Sequence, residues 1–164
     1  MPNAKAVKAL DEQRKAGELP AEVARVYDDL KKLGYAPDAA NTNIGSAIFA
    51  NKPGDGSARE QAASCQRVLG AGANIVNEYA TKRYRSNLIN WGMLPFQLNG
   101  AAPFGLGDYI LIPHVREALK GDLQNIPAYV LGEEVKPFAL YMAPLTSDER
   151  EILADGCLIN YYKH

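Results

Sequence analysis

The sequence has few cysteines, and those it has are poorly placed to bind a metal. Cys65 and Cys157 are its only two cysteines among 164 residues. They are far apart, with no Cys-x-x-Cys spacing and no neighbouring histidine, so we expect no metal site built from this chain alone. A disulfide between them stays open on counting alone, although free, buried thiols are the expectation for a cytoplasmic protein.

Long apolar runs and an excess of one charge are also missing. No stretch approaches the roughly 20 apolar residues of a transmembrane helix, and charges interrupt residues 1–17 too often for a signal peptide. The sequence therefore predicts a cytoplasmic protein without a membrane partner. With 18 basic and 19 acidic residues the net charge is −1, which argues against a nucleic-acid partner.

The length and composition are those of one globular domain, with 47% hydrophobic and 23% charged residues. Residues 4–16 are mostly good helix formers and end at Gly17. A second amphipathic helix follows Pro20 and ends at Gly34. We therefore predict a helical N-terminal segment over residues 1–40.

The pattern changes to alternating strands and helices from Ile44 onward. Apolar runs and turn residues predict strands at 44–50, 73–79, 94–98, 109–112, 127–131 and 135–142, and helices at 58–69, 81–91, 115–119 and 147–154. Thr146 and Glu149 have the spacing of a capping box before the last helix. This order predicts an α/β fold over residues 41–164, with a central, mostly parallel sheet.

The segment Gly54–Glu60 is the most informative part of the chain. A strand, a loop with Gly54 and Gly56, and a helix start follow one another here. Such loops bind anions, because glycine lets the backbone approach a ligand and the free N–H groups of the helix point at it.

A purely structural interpretation of the same segment remains open. Ser57 and Glu60 have capping-box spacing, so Ser57 is equally suited to be the N-cap of the helix. Arg59 favours the binding site, because a cation in the first turn opposes the helix dipole unless it meets an anion. Its planar fork suits bidentate binding of a carboxylate.

A second segment, Asn87–Pro95, completes a resemblance to a known family. Gly-x-Gly-Ser-x-Arg-Glu followed about 30 residues later by Asn-Leu-x-x-x-Gly-x-Leu-Pro resembles the C-terminal swivel domain of the aconitase superfamily. Here these motifs are Gly54–Glu60 and Asn87–Pro95, and the close match spans residues 44–98. The resemblance implies a swivelling β/β/α domain, also similar to the small subunit of isopropylmalate isomerase.

The resemblance also implies an activity, which is the dehydration and rehydration of a hydroxy di- or tricarboxylic acid. By analogy with the family, Ser57 is the base and Arg59 binds a substrate carboxylate, with Gly56 and Ala58 beside them in the substrate site. A [4Fe–4S] cluster held by other domains or by a large subunit serves as cofactor, and this chain binds no metal itself.

The chain departs from the family pattern at two places. Ala58 stands where many members have a second serine, which puts the identity of the substrate in doubt. The earlier strand of the family's swivel domains, with its further substrate-binding arginine, is not found before Ile44. The chain is therefore expected to be part of a longer enzyme or a small subunit. A stand-alone carboxylate-binding or regulatory module is the alternative.

The remaining candidates are expected to have no catalytic role. His114 follows Pro113 at the end of a predicted strand without an evident carboxylate partner, and we interpret it as structural or exposed. His164 is the last residue and is expected to be disordered. Lys82, Arg83 and Arg85 lie on one predicted helix, where they are candidates for attracting an acidic substrate.

Overall fold

The computed structural model of the chain describes residues 4–163. The helices are α1 Ala4–Lys15, α2 Ala21–Lys32, α3 Arg59–Val68, α4 Lys82–Asn90, α5 Val115–Lys120, α6 Ser147–Asp155 and α7 Leu158–Tyr161. The strands are β1 Ser46–Ala50, β2 Ala71–Val76, β3 Leu94–Gln97, β4 Tyr109–Leu111, β5 Ile126–Leu131 and β6 Lys136–Leu140. The expectation for His164 and the first three residues of the predicted N-terminal segment lie outside the described residues.

The first three strands form a parallel sheet in the order β1-β2-β3. The helices α3 and α4 connect them, which confirms the predicted alternation of strands and helices. The central strand β2 is buried at Ala71 and from residue 73 to 76. Such a continuous buried run is typical of a parallel strand covered on both faces.

The last three strands form an antiparallel sheet in the order β4-β5-β6. Gln97, at the end of β3, and Tyr141, just after β6, exchange backbone hydrogen bonds with N–O distances of 2.7 and 2.9 Å. This bridge connects the two sheets. The α/β class and the parallel sheet are therefore confirmed. The predicted pairing of β5 with β6 is also confirmed, and it belongs to the antiparallel sheet.

The main core joins residues of both sheets to α4, α5 and α6. Ile75, Phe96 and Leu140 are at most 1% exposed. The capping box before α6 is confirmed, because Thr146 Oγ1 accepts from the Glu149 N–H (3.2 Å) and Glu149 Oε2 accepts from the Thr146 N–H (2.9 Å). Its two reciprocal bonds satisfy donors that a helix start leaves unpaired.

The two predicted N-terminal helices are confirmed, and α2 packs on the antiparallel sheet. Val26 and Leu30 form a buried cluster with Leu131. The Tyr109 hydroxyl donates to Glu22 Oε1 at 2.6 Å. The division of the chain at residue 40 stays a prediction. Between residues 4 and 163, the helices are all too short or too polar to cross a bilayer.

Three local expectations need correction. Both cysteines are free as expected, but Cys65, on α3, is exposed, and Cys157, in the turn after α6, is only half-buried. β2 ends at Val76 rather than at Tyr79, and the short helix α7 was not anticipated. Four-residue helices leave too few periodic positions to be recognised in a sequence.

Candidate active site

The loop of residues 51–58 leaves the carboxyl end of β1 and leads into α3. Backbone hydrogen bonds of 2.9 Å tie it to the segment after β2, from the Glu78 N–H to Asn51 O and from the Ala80 N–H to Pro53 O. The loop therefore lies at the carboxyl edge of the parallel sheet. Open α/β sheets bind their ligands at this edge.

Gly54 gives the loop its shape. Its φ is +100°, a region that side chains disfavour, and a Cβ atom here would lie 2.6 Å from the ring of Tyr84. Its carbonyl oxygen accepts from Arg59 Nε at 3.0 Å and from Thr81 Oγ1 at 2.9 Å. Only glycine allows this close approach of the loop to α4.

Ser57 is exposed and does not cap the helix. The N-cap of α3 is Ala58, which has no polar side-chain atom, and helical residues begin at Arg59. Glu60 accepts instead from Trp91 Nε1 at 3.2 Å. The capping-box interpretation of Ser57 and Glu60 is therefore wrong, and the Ser57 hydroxyl is left available to a ligand.

Arg59 is half-buried and held by the loop. Nε donates to Gly54 O, and Nη2 donates to Asp55 O at 3.4 Å. Two of the five N–H donors of a guanidinium are thus used. Among residues 4–163 no carboxylate forms an ion pair with it. Its charge is therefore uncompensated in the first turn of α3, where the helix dipole opposes a cation.

The predicted site residues lie around one pocket. The pocket has a volume of about 440 Å³ and is lined by Pro53, Gly54, Gly56, Ser57, Ala58, Arg59, Ala62, Gln66 and Tyr84. Its size is within the usual range for small-molecule sites. The structure thus brings Gly56, Ser57, Ala58 and Arg59 together, whereas their individual roles remain predictions.

Comparison with known proteins identifies the family. Residues 20–101, half of the chain, match the aconitase C-terminal domain. The chain belongs to the aconitase C-terminal domain family. It is also similar to the crystal structure of a 3-isopropylmalate dehydratase from Methanocaldococcus jannaschii, with 30% sequence identity and a TM-score of 0.50. This similarity covers 76% of the chain and 67% of the dehydratase chain. None of the curated proteins matches the sequence.

The second motif of this aconitase-family domain, Asn87–Pro95, packs against the first motif, Gly54–Glu60, and does not line the pocket. Gly92, with φ +71°, follows α4 and lies against the turn after α6, where a Cβ would be 1.6 Å from Gly156 O. The hydrogen bond from Trp91 to Glu60 links the two motifs directly. The prediction that Gly92 ends the helix is confirmed, and the motif supports α3 rather than reaching the pocket.

Sequence reasoning missed Gln66 and Tyr84, which form the inner part of the pocket. Gln66 lies seven residues after Arg59, so both are on the same face of α3. Its Nε2 donates to the Tyr84 hydroxyl at 2.9 Å, and so does Asn74 Nδ2. The spacing of Gln66 was visible in the sequence, but its pairing with residues of β2 and α4 was not.

The basic residues of α4 have different surroundings. Arg85 Nη2 donates to the carbonyls of Ala143 and Pro144 at 2.9 and 3.0 Å, which gives it a structural role. Lys82 and Arg83 are exposed. His114 is exposed, has φ +52° and lies 5.7 Å from the Tyr35 ring, in keeping with the structural or surface interpretation.

The two cysteines of the chain are too few for the iron–sulfur cluster that the family resemblance implies. Two cysteines cannot provide the three thiolates that the family resemblance implies. Within residues 4–163, histidine, cysteine and acidic side chains nowhere gather in a group of three that could hold a metal ion. A cluster of that kind therefore does not fit the described residues.

A larger groove of about 710 Å³ meets the pocket at Gln66 and is lined mainly by residues of α1, α2, β1 and β4. Its lining is mostly apolar, and its one charged lining residue is Asp108. An acidic, apolar groove is unsuited to a carboxylate, since the ligand would be desolvated without a cation. The smaller pocket at Arg59 therefore remains the candidate site.

Proposed function

We propose that the chain is the swivel domain or small subunit of an aconitase-like hydro-lyase that dehydrates and rehydrates a hydroxy di- or tricarboxylic acid. One observation carries the proposal: an available serine hydroxyl and an uncompensated arginine line the same pocket at the start of α3. Membership of the aconitase C-terminal domain family and the similarity to a 3-isopropylmalate dehydratase support it.

Arg59 binds a substrate carboxylate in this proposal. Its Nε is held by Gly54 O, while Nη1 and the second hydrogen of Nη2 remain for a ligand. A carboxylate here gains charge-assisted hydrogen bonds and the attraction of the helix N-terminus. The backbone at Gly56 and Ala58, which lines the same pocket, contacts the ligand closely because neither residue has a bulky side chain.

Ser57 is the base. Dehydration removes a proton from a carbon of the substrate and a hydroxyl group from the adjacent carbon. A serine hydroxyl accepts that proton only as an alkoxide, which needs strong electrostatic stabilisation. The Arg59 charge and the first N–H groups of α3 supply it once water is excluded from the pocket.

The iron–sulfur cluster of the complete enzyme belongs to partner domains or a large subunit in this proposal. It provides the Lewis acid of the reaction. The part assigned to this chain is to bind a carboxylate, orient the substrate and exchange one proton at Ser57 Oγ.

The proposal is tested first by titrating the full chain with citrate and following backbone amide shifts by NMR. We expect shifts at residues 56–60 that follow one binding curve, and none with trimethyl citrate, which lacks the carboxylates. Ser57→Ala should retain citrate binding. Shifts centred on Lys82 and Arg83, or no shifts at all, would contradict the assignment of the pocket.

A further inference from the structure

Tyr84 connects three elements beneath the candidate site. It lies on α4, is 2% exposed, and its hydroxyl accepts from Gln66 of α3 and Asn74 of β2, both at 2.9 Å. Gln66 Oε1 and Asn74 Oδ1 are buried and have no hydrogen-bond partner among the described residues. The phenol oxygen is therefore the group through which both side-chain amides are held.

The same tyrosine is in close contact with the loop. The Cα of Gly54 lies so near the Tyr84 side chain that a Cβ would be 2.6 Å from Cβ, Cγ and Cδ1. Thr81 Oγ1 donates to Gly54 O and accepts from the Tyr84 N–H at 3.2 Å. The position of Gly54 is thus fixed on one side by the ring and on the other by Thr81.

This arrangement restricts where Ser57 can be. Gly54 is three residues before Ser57, and its carbonyl also orients Arg59. A buried polar group with several partners favours one side-chain arrangement, because any other arrangement leaves buried amides unpaired. The ring of Tyr84 is therefore a fixed surface, and the loop is built against it.

We propose that Tyr84 is a positioning residue, which holds the loop of residues 54–57 in the shape that presents Ser57 and orients Arg59. Its consequence for catalysis rests on the function proposed above, but its effect on the loop does not. Gln66 and Asn74 act through Tyr84, as the anchors that fix its ring.

The test compares Tyr84→Phe with Tyr79→Phe in the full chain by amide hydrogen exchange. Tyr79 is a matched control, because its hydroxyl donates to Phe96 O at 3.2 Å and its ring is 6.2 Å from that of Tyr84. In Tyr84→Phe we expect exchange of the Glu78 and Ala80 amides, whose hydrogen bonds to Asn51 O and Pro53 O hold the loop, to rise about tenfold or more. The amides of β2 and β3 should be unchanged, because only a local opening becomes easier. Tyr79→Phe should leave the loop unchanged.

Uniform acceleration across the domain, or equal exchange rates of the Glu78 and Ala80 amides in both variants, would overturn the proposal. Should Tyr84→Phe not fold, Gln66→Leu removes one anchor and retains a side chain of similar size, and it is expected to raise loop exchange to a smaller extent. In the complex with the cluster-bearing partner, Tyr84→Phe should lower kcat/KM by up to about 100-fold through misplacement of reacting groups. A wild-type complex without hydratase activity would refute the proposed function, whereas the exchange result would still decide the role of Tyr84.

Discussion

At the scale of single residues, Ser57 and Arg59 differ in how firmly the fold holds them. Arg59 is half-buried and bonded to two loop carbonyls, so its side chain has lost much of its freedom before a ligand arrives. Ser57 is exposed and free to rotate. Preordering the long side chain reduces the entropy lost on binding, whereas a serine has little rotamer freedom to lose.

Replacing Ser57 by alanine should remove catalysis and little else. In the complete enzyme we expect kcat to fall by about 10²–10⁴-fold, the usual contribution of a positioned general base. KM should change little, because the carboxylate contacts of Arg59 remain. Thermal stability should hardly change, since Ser57 does not cap α3.

Ser64→Ala is the matched control for this prediction, because it removes a serine hydroxyl from α3, the helix that Ser57 precedes. Ser64 Oγ donates only to Gln61 O, at 3.3 Å, away from the pocket. Steady-state kinetics and thermal unfolding of both variants are the measurements. A loss of stability of about 1 kcal/mol in Ser57→Ala without loss of kcat would instead support a capping role.

Replacing Arg59 by lysine should weaken substrate binding as well as turnover. Lysine keeps the charge but loses the planar fork, and it cannot bond Gly54 O and a carboxylate in the same way. Hydrogen bonds to charged groups contribute about 1.5–3 kcal/mol, so KM or Kd should rise roughly 10- to 100-fold. Arg67→Lys is the control, because Arg67 donates to Ala71 O at the other end of α3. Equal affinities of the two variants would show that Arg59 does not bind the carboxylate.

At the scale of elements, the regular structure was predictable and the helix start at the site was not. Hydrophobic periodicity, together with glycines at the ends of helices, predicted α1, α2 and the β1-α3-β2-α4-β3 unit to within a few residues. Ser57 and Glu60 have the spacing of a cap, yet α3 begins at Arg59. Gly54 O accepts from both Arg59 and Thr81, and the contact with Thr81 joins segments that are far apart in the sequence, so a local pattern does not reveal it.

Some residues of the pocket could be predicted from the sequence and others could not. Gly56, Ser57 and Arg59 lie within four consecutive residues, so their motif is visible in the sequence. Gln66 and Tyr84 join the pocket only because α3, β2 and α4 pack together, which brings Asn74 to the same hydroxyl. A partner set drawn from three elements has no local sequence signal.

Gly54→Ala should destabilise the domain through the loop. The added methyl group meets the Tyr84 ring at 2.6 Å, and φ is +100°, so both sterics and backbone conformation are unfavourable. Overpacking and strain of this kind cost about 1–3 kcal/mol each. Gly56→Ala is the control in the same loop, because no atom lies within 4 Å of its added Cβ. Chemical denaturation measures both, and equal stabilities would contradict the close contact with Tyr84.

At the scale of the whole molecule, the domain presents its candidate site on an open surface. Ser57 is exposed, and the pocket is formed by one loop and the helices α3 and α4. Stabilising an alkoxide requires that water be excluded, because bulk water screens the Arg59 charge. In the proposed mechanism a second body closes the pocket, because nothing in the described part of the chain covers it.

Activity should therefore appear only in the complex. We expect the isolated chain to show no hydratase activity with citrate or 3-isopropylmalate, with or without reconstituted iron and sulfide, because residues 4–163 include neither a group of metal ligands nor a cover for Ser57. Adding the cluster-bearing domains should produce turnover that saturates at one chain per partner. The Ser57→Ala chain should saturate the partner equally, with turnover about 10²–10⁴-fold lower. The measurement is the absorbance of the unsaturated acid during titration of the partner. Turnover by the chain alone would show that the cluster-bearing partner is unnecessary. It would contradict the proposal that Ser57 and Arg59 act only together with that partner.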